Sequence, residues 1–208
     1  AHQYPTGTTL APDRRAAWES ARIELEAAAA ENADRPQSWL GLAQIAAVTG
    51  DTAAAERALR HSLKLEPAFV PGVANLADLL RQTGRDQEGE ALLRDAAKRA
   101  PGEAALQEAL ALSLVRQKRK PEALQVLARA QGLPSATGNT AYLYAVSLAD
   151  AGRRSEAIAV LEASARKRAD RDVLLALASY KRDAGDAAGA RAALDRLAAI
   201  NPGDPVLG

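Results

Sequence analysis

Small and apolar residues recur along this 208-residue chain at intervals of 34. In each interval a leucine or tyrosine is followed directly by an alanine. Thirteen residues after that leucine or tyrosine stands a second small residue, and four residues later a leucine. The first pair of columns is Leu42–Ala43, Leu76–Ala77, Leu110–Ala111 and Tyr144–Ala145, with Leu177–Ala178 at an interval of 33. The second pair is Ala55 and Leu59, Gly89 and Leu93, Ala123 and Leu127, Ala157 and Leu161, and Ala190 and Leu194. A fixed period of this length restricts the chain to an array of similar units, each too small to bury its own apolar face.

Each interval has the pattern of two helices joined by a tight turn. Apolar residues at helical spacing predict a first helix over Pro36–Thr49, and Gly50 fits a left-handed C-cap. Asp51 can cap a second helix over Thr52–Leu65. Pro67 then ends the interval because proline cannot continue a helix. The period therefore predicts an all-α chain.

The residue types in the first interval are those of a known repeat. Trp39, Leu42, Gly50, Ala55, Leu59 and Pro67 together resemble the tetratricopeptide repeat family. The resemblance implies a right-handed α-α superhelix of about five helix-turn-helix repeats. These repeats would span residues 35–68, 69–102, 103–136, 137–169 and 170–202. The third departs from the family pattern, since Lys118 replaces the turn glycine.

Both ends of the chain lie outside the five repeats. Residues 1–34 predict an irregular start and one helix, from Asp13 to about Asn32, that would cap the first repeat. Residues 203–208 predict a tail. The last predicted helix, Asp186 to Ile200, mixes charged and apolar side chains, although a terminal repeat usually needs a polar outer face. We therefore expect self-association through the terminal helices or a longer parent protein. The absence of an initiator methionine also suggests a processed product or a piece.

A second, narrower resemblance concerns four short stretches. Residues 32–36, 67–71, 75–79 and 174–180 look similar to the C-terminal repeat region of bacterial periplasmic multihaem cytochrome c proteins. This resemblance implies a periplasmic location and an electron-transfer context, whereas a chain without cysteine suits the periplasm and the cytoplasm equally. The chain has no cysteine, so any haem-bearing portion would lie upstream in the parent protein.

The composition argues against several classes of function. There is no cysteine and only two histidines, which leaves little material for a metal centre or a nucleophilic enzyme. With 27 basic against 26 acidic residues the net charge is +1, which gives no support to nucleic-acid binding. No apolar run is long enough to insert into a membrane. We therefore predict no cofactor, no metal and no enzymatic activity.

Four features that could suggest chemistry have simpler interpretations. The aspartate pairs Asp170 with Asp172 and Asp183 with Asp186 stand near helix starts, where aspartate acts as a cap. The basic run at 116–120 occupies a turn and has no aromatic residue for base stacking. A phosphate loop at Gly84 and Gly89 lacks the following lysine and serine or threonine. His61 is expected to be a solvated surface histidine.

What remains is a surface for binding. In the family that the chain resembles, the first helices line a concave groove that holds peptides. The matching positions are Leu40, Gln44, Asn75, Asp78, Arg81, Gln82, Glu108, Leu112, Arg116, Tyr142 and Val146. The resemblance implies a non-enzymatic scaffold that binds a protein or peptide partner in this groove. We expect the specificity to come from Asn75, Arg81, Arg116 and a pocket at Tyr142.

Two alternatives to a general peptide groove can be stated. The first is a structural spacer or oligomerisation arm of a larger periplasmic multihaem cytochrome c protein. The second is the clamp with which co-chaperones of this family hold a chaperone's C-terminal carboxylate. The positions that would carry the clamp's cations and amides are Leu40, Gln44, Asn75, Ala105 and Ala109, and only Asn75 fits. We predict that this clamp is absent, because the carboxylate would be desolvated without a cation.

Overall fold

The computed structural model describes residues 20, 23, 24, 27 and 31–207. Residues 31–207 form ten α-helices and contain no strand. The helices are α1 Pro36–Thr49, α2 Thr52–Leu65, α3 Val70–Gln82, α4 Asp86–Arg99, α5 Ala104–Arg116, α6 Lys120–Gln131, α7 Gly138–Asp150, α8 Arg154–Lys167, α9 Arg171–Asp183 and α10 Ala187–Ile200. Each of the five expected repeats contains one pair. Odd-numbered helices are the first helices and even-numbered helices the second.

The turn between the two helices of a repeat follows from its sequence. In the first repeat Gly50 takes a left-handed conformation at φ 84°, and the N–H of Asp51 bonds to the Ala46 carbonyl oxygen at 2.8 Å. The Asp51 carboxylate then accepts a hydrogen bond from the Ala54 N–H at 2.8 Å and so begins α2. In the third repeat Lys118 occupies the same left-handed region at φ 63°.

The chain forms two compact parts, Ala1–Ala100 and Pro101–Gly208. In the N-terminal part α1 packs on α2 and α3, while α3 packs on α4. A core cluster there consists of Ala43, Ala58, Leu59, Leu76 and Leu80. Gly89 lies in α4 where a Cβ atom would stand only 3.0 Å from the Ala77 carbonyl oxygen, so α3 and α4 approach closely at this glycine.

The C-terminal part contains α5–α10. Each first helix packs on its own second helix, and α7 also contacts both α5 and α9. The core cluster here consists of Ala145, Leu148, Ala157, Leu161, Ala165, Val173, Leu174, Leu177, Ala178, Ala193 and Leu197. The first helices of this part thus form one layer and the second helices another. This arrangement leaves one side of α5, α7 and α9 facing away from the second helices.

The predicted ends are described only in part. The cap helix expected from Asp13 to about Asn32 lies largely outside the described residues, as does the irregular segment before it. At the other end, a 3-10 helix over Pro205–Leu207 lies within the segment predicted as a tail. Asp204 is buried immediately before it.

Candidate functional site

The predicted binding residues lie on the first helices, in two sets that are separated by the division of the chain. The N-terminal face carries Leu40, Gln44, Asn75, Asp78, Arg81 and Gln82 on α1 and α3. The C-terminal face carries Glu108, Leu112, Arg116, Tyr142 and Val146 on α5 and α7. Spacings of three and four residues place the members of each set along one side of their helix. The two faces differ in how many of their side chains already form hydrogen bonds or packing contacts within the chain.

Polar side chains of the N-terminal face are bonded within α3 itself. The Asp78 carboxylate accepts hydrogen bonds from Arg81 Nε at 2.9 Å and from Gln82 Nε2 at 3.0 Å. Asn75 Nδ2 donates to the Pro71 carbonyl oxygen at 2.7 Å. The structure therefore brings Asp78, Arg81 and Gln82 together, and their polar groups bond to one another rather than standing free for a partner. The charges of Asp78 and Arg81 offset each other locally.

The two predicted residues of α1 have different surroundings. Leu40 is half-buried and packs against the N-terminal core cluster, so part of its apolar surface is already covered. Gln44 is exposed. This helix contributes one exposed amide and little free apolar surface to the face.

Glu108 has a structural contact that the sequence did not indicate. Its carboxylate accepts a hydrogen bond from Asn139 Nδ2 at 2.5 Å and another from the Thr140 hydroxyl. Thr140 is fully buried, and its Oγ1 also accepts from the Thr137 N–H at 2.9 Å. Glu108 thus ties α5 to the first turn of α7. Its two carboxylate oxygens are engaged within the chain rather than directed to a partner.

Farther along α5 the C-terminal face is apolar and open. Leu112 is 41% exposed and Val115 is 37% exposed. The two lie three residues apart, and therefore on the same side of the helix. Arg116 follows them, is exposed, and has no acidic side chain within ion-pair distance among the residues that the structure describes. A cation beside an apolar patch can bind a carboxylate or a carbonyl group.

Val115 was not among the predicted residues. Its position in the repeat is the one that Arg81 holds 34 residues earlier, so applying that column to the third repeat would have found it.

Tyr142 and Val146 lie on α7, the first helix that packs beside α5, and Val146 stands 34 residues after Leu112. Both are half-buried, and Tyr142 packs against the C-terminal core cluster together with Tyr180 of α9. Burial raises the pKa of the Tyr180 phenol, and the neighbouring Tyr142 and Asp150 add to the effect. The phenol therefore stays protonated at neutral pH and can donate a hydrogen bond. Tyr180 falls on none of the predicted groove positions, so the repeat pattern gave no signal for it.

The residues that could have suggested catalysis or metal binding have structural roles. Within the described part of the chain, no three acidic, histidine or cysteine side chains come together as metal ligands. Asp170 and Asp186 act as helix caps, accepting from the N–H groups of Asp172 at 3.2 Å and Gly189 at 2.8 Å. His61 is half-buried instead of solvated, because its ring lies against Trp39 with 3.8 Å between centroids. None of the described helices has the length and apolar character to cross a bilayer.

Comparison with protein families identifies the repeats. One tetratricopeptide repeat model matches residues 75–138 and 142–205, and a second matches residues 36–69. Together these matches cover well over half of the chain. The chain therefore belongs to the tetratricopeptide repeat family, whose members generally act as scaffolds for protein interactions. No curated protein sequence matches the chain significantly.

Solved structures with the same fold include three repeat proteins at low sequence identity. The pilF protein of Pseudomonas aeruginosa has a TM-score of 0.64 at 18% identity, covering 92% of this chain and 87% of its own. TTC0263 of Thermus thermophilus has a TM-score of 0.60 at 21% identity, with coverages of 78% and 90%. YrrB, described as having an unusual peptide-binding site, has a TM-score of 0.54 at 17% identity, with coverages of 86% and 93%. The predicted all-α tetratricopeptide fold is confirmed. The family models and these structures give no support to the cytochrome resemblance.

Proposed function

We propose that the chain is a non-enzymatic scaffold that holds an extended segment of a partner protein on its C-terminal face. The observation that carries this proposal is the exposed pair Leu112 and Val115 beside the exposed cation of Arg116. Covering apolar surface stabilises a complex by roughly 25 cal/mol per Å² before the costs of association. Tyr142 and Val146 extend the apolar surface on the neighbouring helix.

The spacing along α5 indicates what chemistry a partner would need. Leu112 and Arg116 are four residues apart, which is a rise of about 6 Å along the helix. An extended peptide advances about 3.3 Å per residue. A peptide lying along α5 would therefore place an apolar side chain on Leu112 and Val115 and an acidic side chain on Arg116 when the two are about two residues apart.

The N-terminal face has a secondary role in this proposal. Asp78, Arg81 and Gln82 are bonded to one another and Asn75 to the Pro71 carbonyl oxygen, so a partner must break or share those bonds. We expect Asn75, Arg81 and Gln44 to contribute less to affinity than the C-terminal face. Replacing Asn75 and Tyr142 together by alanine tests the two faces at once, and the single variants assign the loss.

The test is a peptide-display selection on the whole chain, followed by calorimetric titration of the selected peptides. We expect Leu112→Asp to weaken binding at least tenfold and Arg116→Glu to weaken binding of peptides that contain an acidic residue. Leu65→Asp is the matched control, because Leu65 is an exposed leucine of α2, 39% exposed, that lies on a second helix. Equal affinity of the Leu112 and Leu65 variants, with circular dichroism unchanged, would contradict the proposal.

The alternative role is a structural spacer or oligomerisation arm of a periplasmic multihaem cytochrome c protein. Its support is the four short stretches of sequence alone. A CxxCH motif upstream in the full reading frame and fractionation of the native protein with the periplasm would favour it. A spacer would tolerate the Asn75→Ala and Tyr142→Ala changes, and self-association through terminal helices would appear as concentration-dependent sedimentation.

A further inference from the structure

The stretch 116–120, at the end of α5 and the start of α6, contains four basic residues, and two of them are already paired. Arg119 binds the two carboxylate oxygens of Glu122, each at 2.6 Å. Lys120 forms an ion pair with Asp150 of α7 at 2.8 Å. Glu122 and Asp150 are therefore each engaged by a cation from the second half of this stretch.

Arg116 and Lys118, in the first half, are both exposed. Among the residues that the structure describes, neither has an acidic side chain within ion-pair distance. Gln117 between them has φ −79° and ψ 6°. This conformation is close to helical, so the Cα atoms of Arg116 and Lys118 are about 5.5 Å apart. The turn thus holds two cations near each other without an opposite charge.

Lys118 also has an unfavourable backbone conformation. Its φ of 63° is the one positive value at a residue other than glycine in the described part of the chain. The other four repeats have glycine in this turn, with φ from 75° to 84°, at Gly50, Gly84, Gly152 and Gly185. The turn gains nothing from lysine, because glycine adopts this region without a Cβ clash. Residues held in sparsely populated backbone regions are concentrated at functional sites.

We propose that Arg116 and Lys118 together bind two acidic side chains of the segment that the C-terminal face holds. This inference rests on the proposed function, since the segment is the one that covers Leu112 and Val115. The guanidinium of Arg116 can hold one carboxylate with two parallel hydrogen bonds, and the Lys118 ammonium supplies a point charge for the second.

The spacing of the two cations defines the partner. In an extended peptide, side chains two residues apart lie on the same side, about 6.6 Å from each other. That distance is close to the separation of the Cα atoms of Arg116 and Lys118. The partner is therefore a segment with an apolar residue and two acidic residues, each two places after the one before.

The test compares two end-blocked peptides on the whole chain by fluorescence polarisation. One has the pattern Leu-x-Glu-x-Glu with serine at x, and the other has glutamine in place of the second glutamate. Each is made in both chain directions. We expect the second glutamate to strengthen binding about three- to fivefold at low salt, and the gain to shrink at about 1 M NaCl.

Variants of the turn assign this gain to Lys118. Lys118→Gly should abolish the gain, leave the affinity for the glutamine peptide unchanged and remain folded, because glycine suits the left-handed region. Lys118→Arg keeps the charge and should keep the gain. Gly152→Lys is the matched control, since it places a lysine with open space around it in the next repeat, where Asp150 holds the position of Arg116. It should add nothing, and an equal gain in the parent and in Lys118→Gly would overturn the proposal.

Failure of this inference and failure of the proposed function give different results. If both peptides bind equally and Leu112→Asp weakens both, the apolar face stands and the cation pair fails. If the second glutamate strengthens binding but Leu112→Asp behaves like Leu65→Asp, the cation pair stands and the apolar face fails. If neither peptide binds, both proposals fail. Binding of a uridine oligonucleotide that is lost in Lys118→Gly would overturn the acidic segment as the occupant.

Discussion

The N-terminal and C-terminal parts are built from the same repeat but leave different side chains on their first helices. In the N-terminal part Asp78, Arg81 and Gln82 bond to one another. In the C-terminal part the equivalent stretch of α5 presents Leu112, Val115 and Arg116. The columns that set the fold are nearly identical in both parts. The difference shows that positions outside those columns decide whether a face is closed by its own polar groups or open to a partner.

The second helices of the two parts also differ, in the kind of contact that joins one second helix to the next. In the N-terminal part Glu56, Arg60, Arg85 and Glu88 form four ion pairs at 2.5 to 2.8 Å. Two of these, Arg60–Glu88 and Arg85–Glu56, join α2 to the start of α4. Sixty-eight residues on, α6 and α8 retain the arginine and glutamate of the later helix. The earlier helix has Leu124 and Ala128 in place of Glu56 and Arg60. Leu124 packs against the C-terminal core cluster. Charge joins the second helices of one part, and apolar contact contributes in the other.

The largest effect is expected for Glu108, the residue that ties α5 to α7. Glu108→Ala removes the acceptor for the buried Thr140 hydroxyl and for Asn139, and hydrogen bonds to charged groups typically contribute about 1.5–3 kcal/mol. We expect a loss of about 2 kcal/mol in urea unfolding, with faster amide exchange in the first turn of α7. Asp78→Ala is the control on the other face and should cost less than about 1 kcal/mol. Similar losses for the two variants would remove this distinction between the parts.

A smaller effect is expected at the turns between paired helices. Lys118 has φ 63°, where Gly84 of the preceding repeat has φ 75°. A residue with a Cβ is destabilised by about 1 kcal/mol or more in this region, and glycine is not. Lys118→Gly should therefore raise the free energy of unfolding by about 0.5–1 kcal/mol, and Gly84→Ala should lower it by about 1 kcal/mol. Thermal unfolding checks both, and a Lys118→Gly variant less stable than the parent would show that Lys118 makes a compensating contact.

Much of the fold could be predicted because its determinants are local. Gly50, Asp51 and Pro67 mark helix ends by backbone conformation and capping, and the structure ends α1 just before Gly50 and places α2 between Asp51 and Pro67. The Ala55 column identifies buried positions by spacing alone, and so does the Leu59 column except at Leu194, which is partly buried. These signals need no knowledge of how one repeat meets the next.

The surface was less predictable because its state depends on distances between helices. Glu108 has the position of a groove residue, but Asn139 and Thr140 lie near enough to donate hydrogen bonds to its carboxylate. No spacing rule within one helix gives the distance between side chains of α5 and α7. Asp204 falls within the predicted tail because proline and glycine surround it. Asp204 stands 34 residues after Asp170, the cap of α9, and this interval was the sequence feature that could have predicted an ordered turn there.

The smallest effect, and the sharpest contrast between the parts, concerns the ion pairs of the N-terminal part. Burial tends to raise the pKa of Glu56, but hydrogen bonds from Arg60 and Arg85 outweigh it and hold the pKa below its ordinary 4.5. Hydrogen bonds from the same arginines lower the pKa of Glu88. A carboxyl whose pKa is lower in the folded state stabilises the fold above its unfolded pKa, and that contribution is lost as the pH falls through the folded pKa.

Giving α2 the residues of α6, Glu56→Leu with Arg60→Ala, should therefore flatten the dependence of the thermal midpoint on pH below about 4.5. It should also flatten the dependence on salt between low salt and about 1 M NaCl, since exposed pairs are screened. At pH 7 the midpoint should change little, because exposed pairs contribute little to stability. Asp95→Ala, which breaks the isolated 2.7 Å pair with Arg99 in α4, is the control and should leave both slopes near those of the parent. If the double variant kept the parent's pH and salt slopes, the four ion pairs would not distinguish the N-terminal part from the C-terminal part.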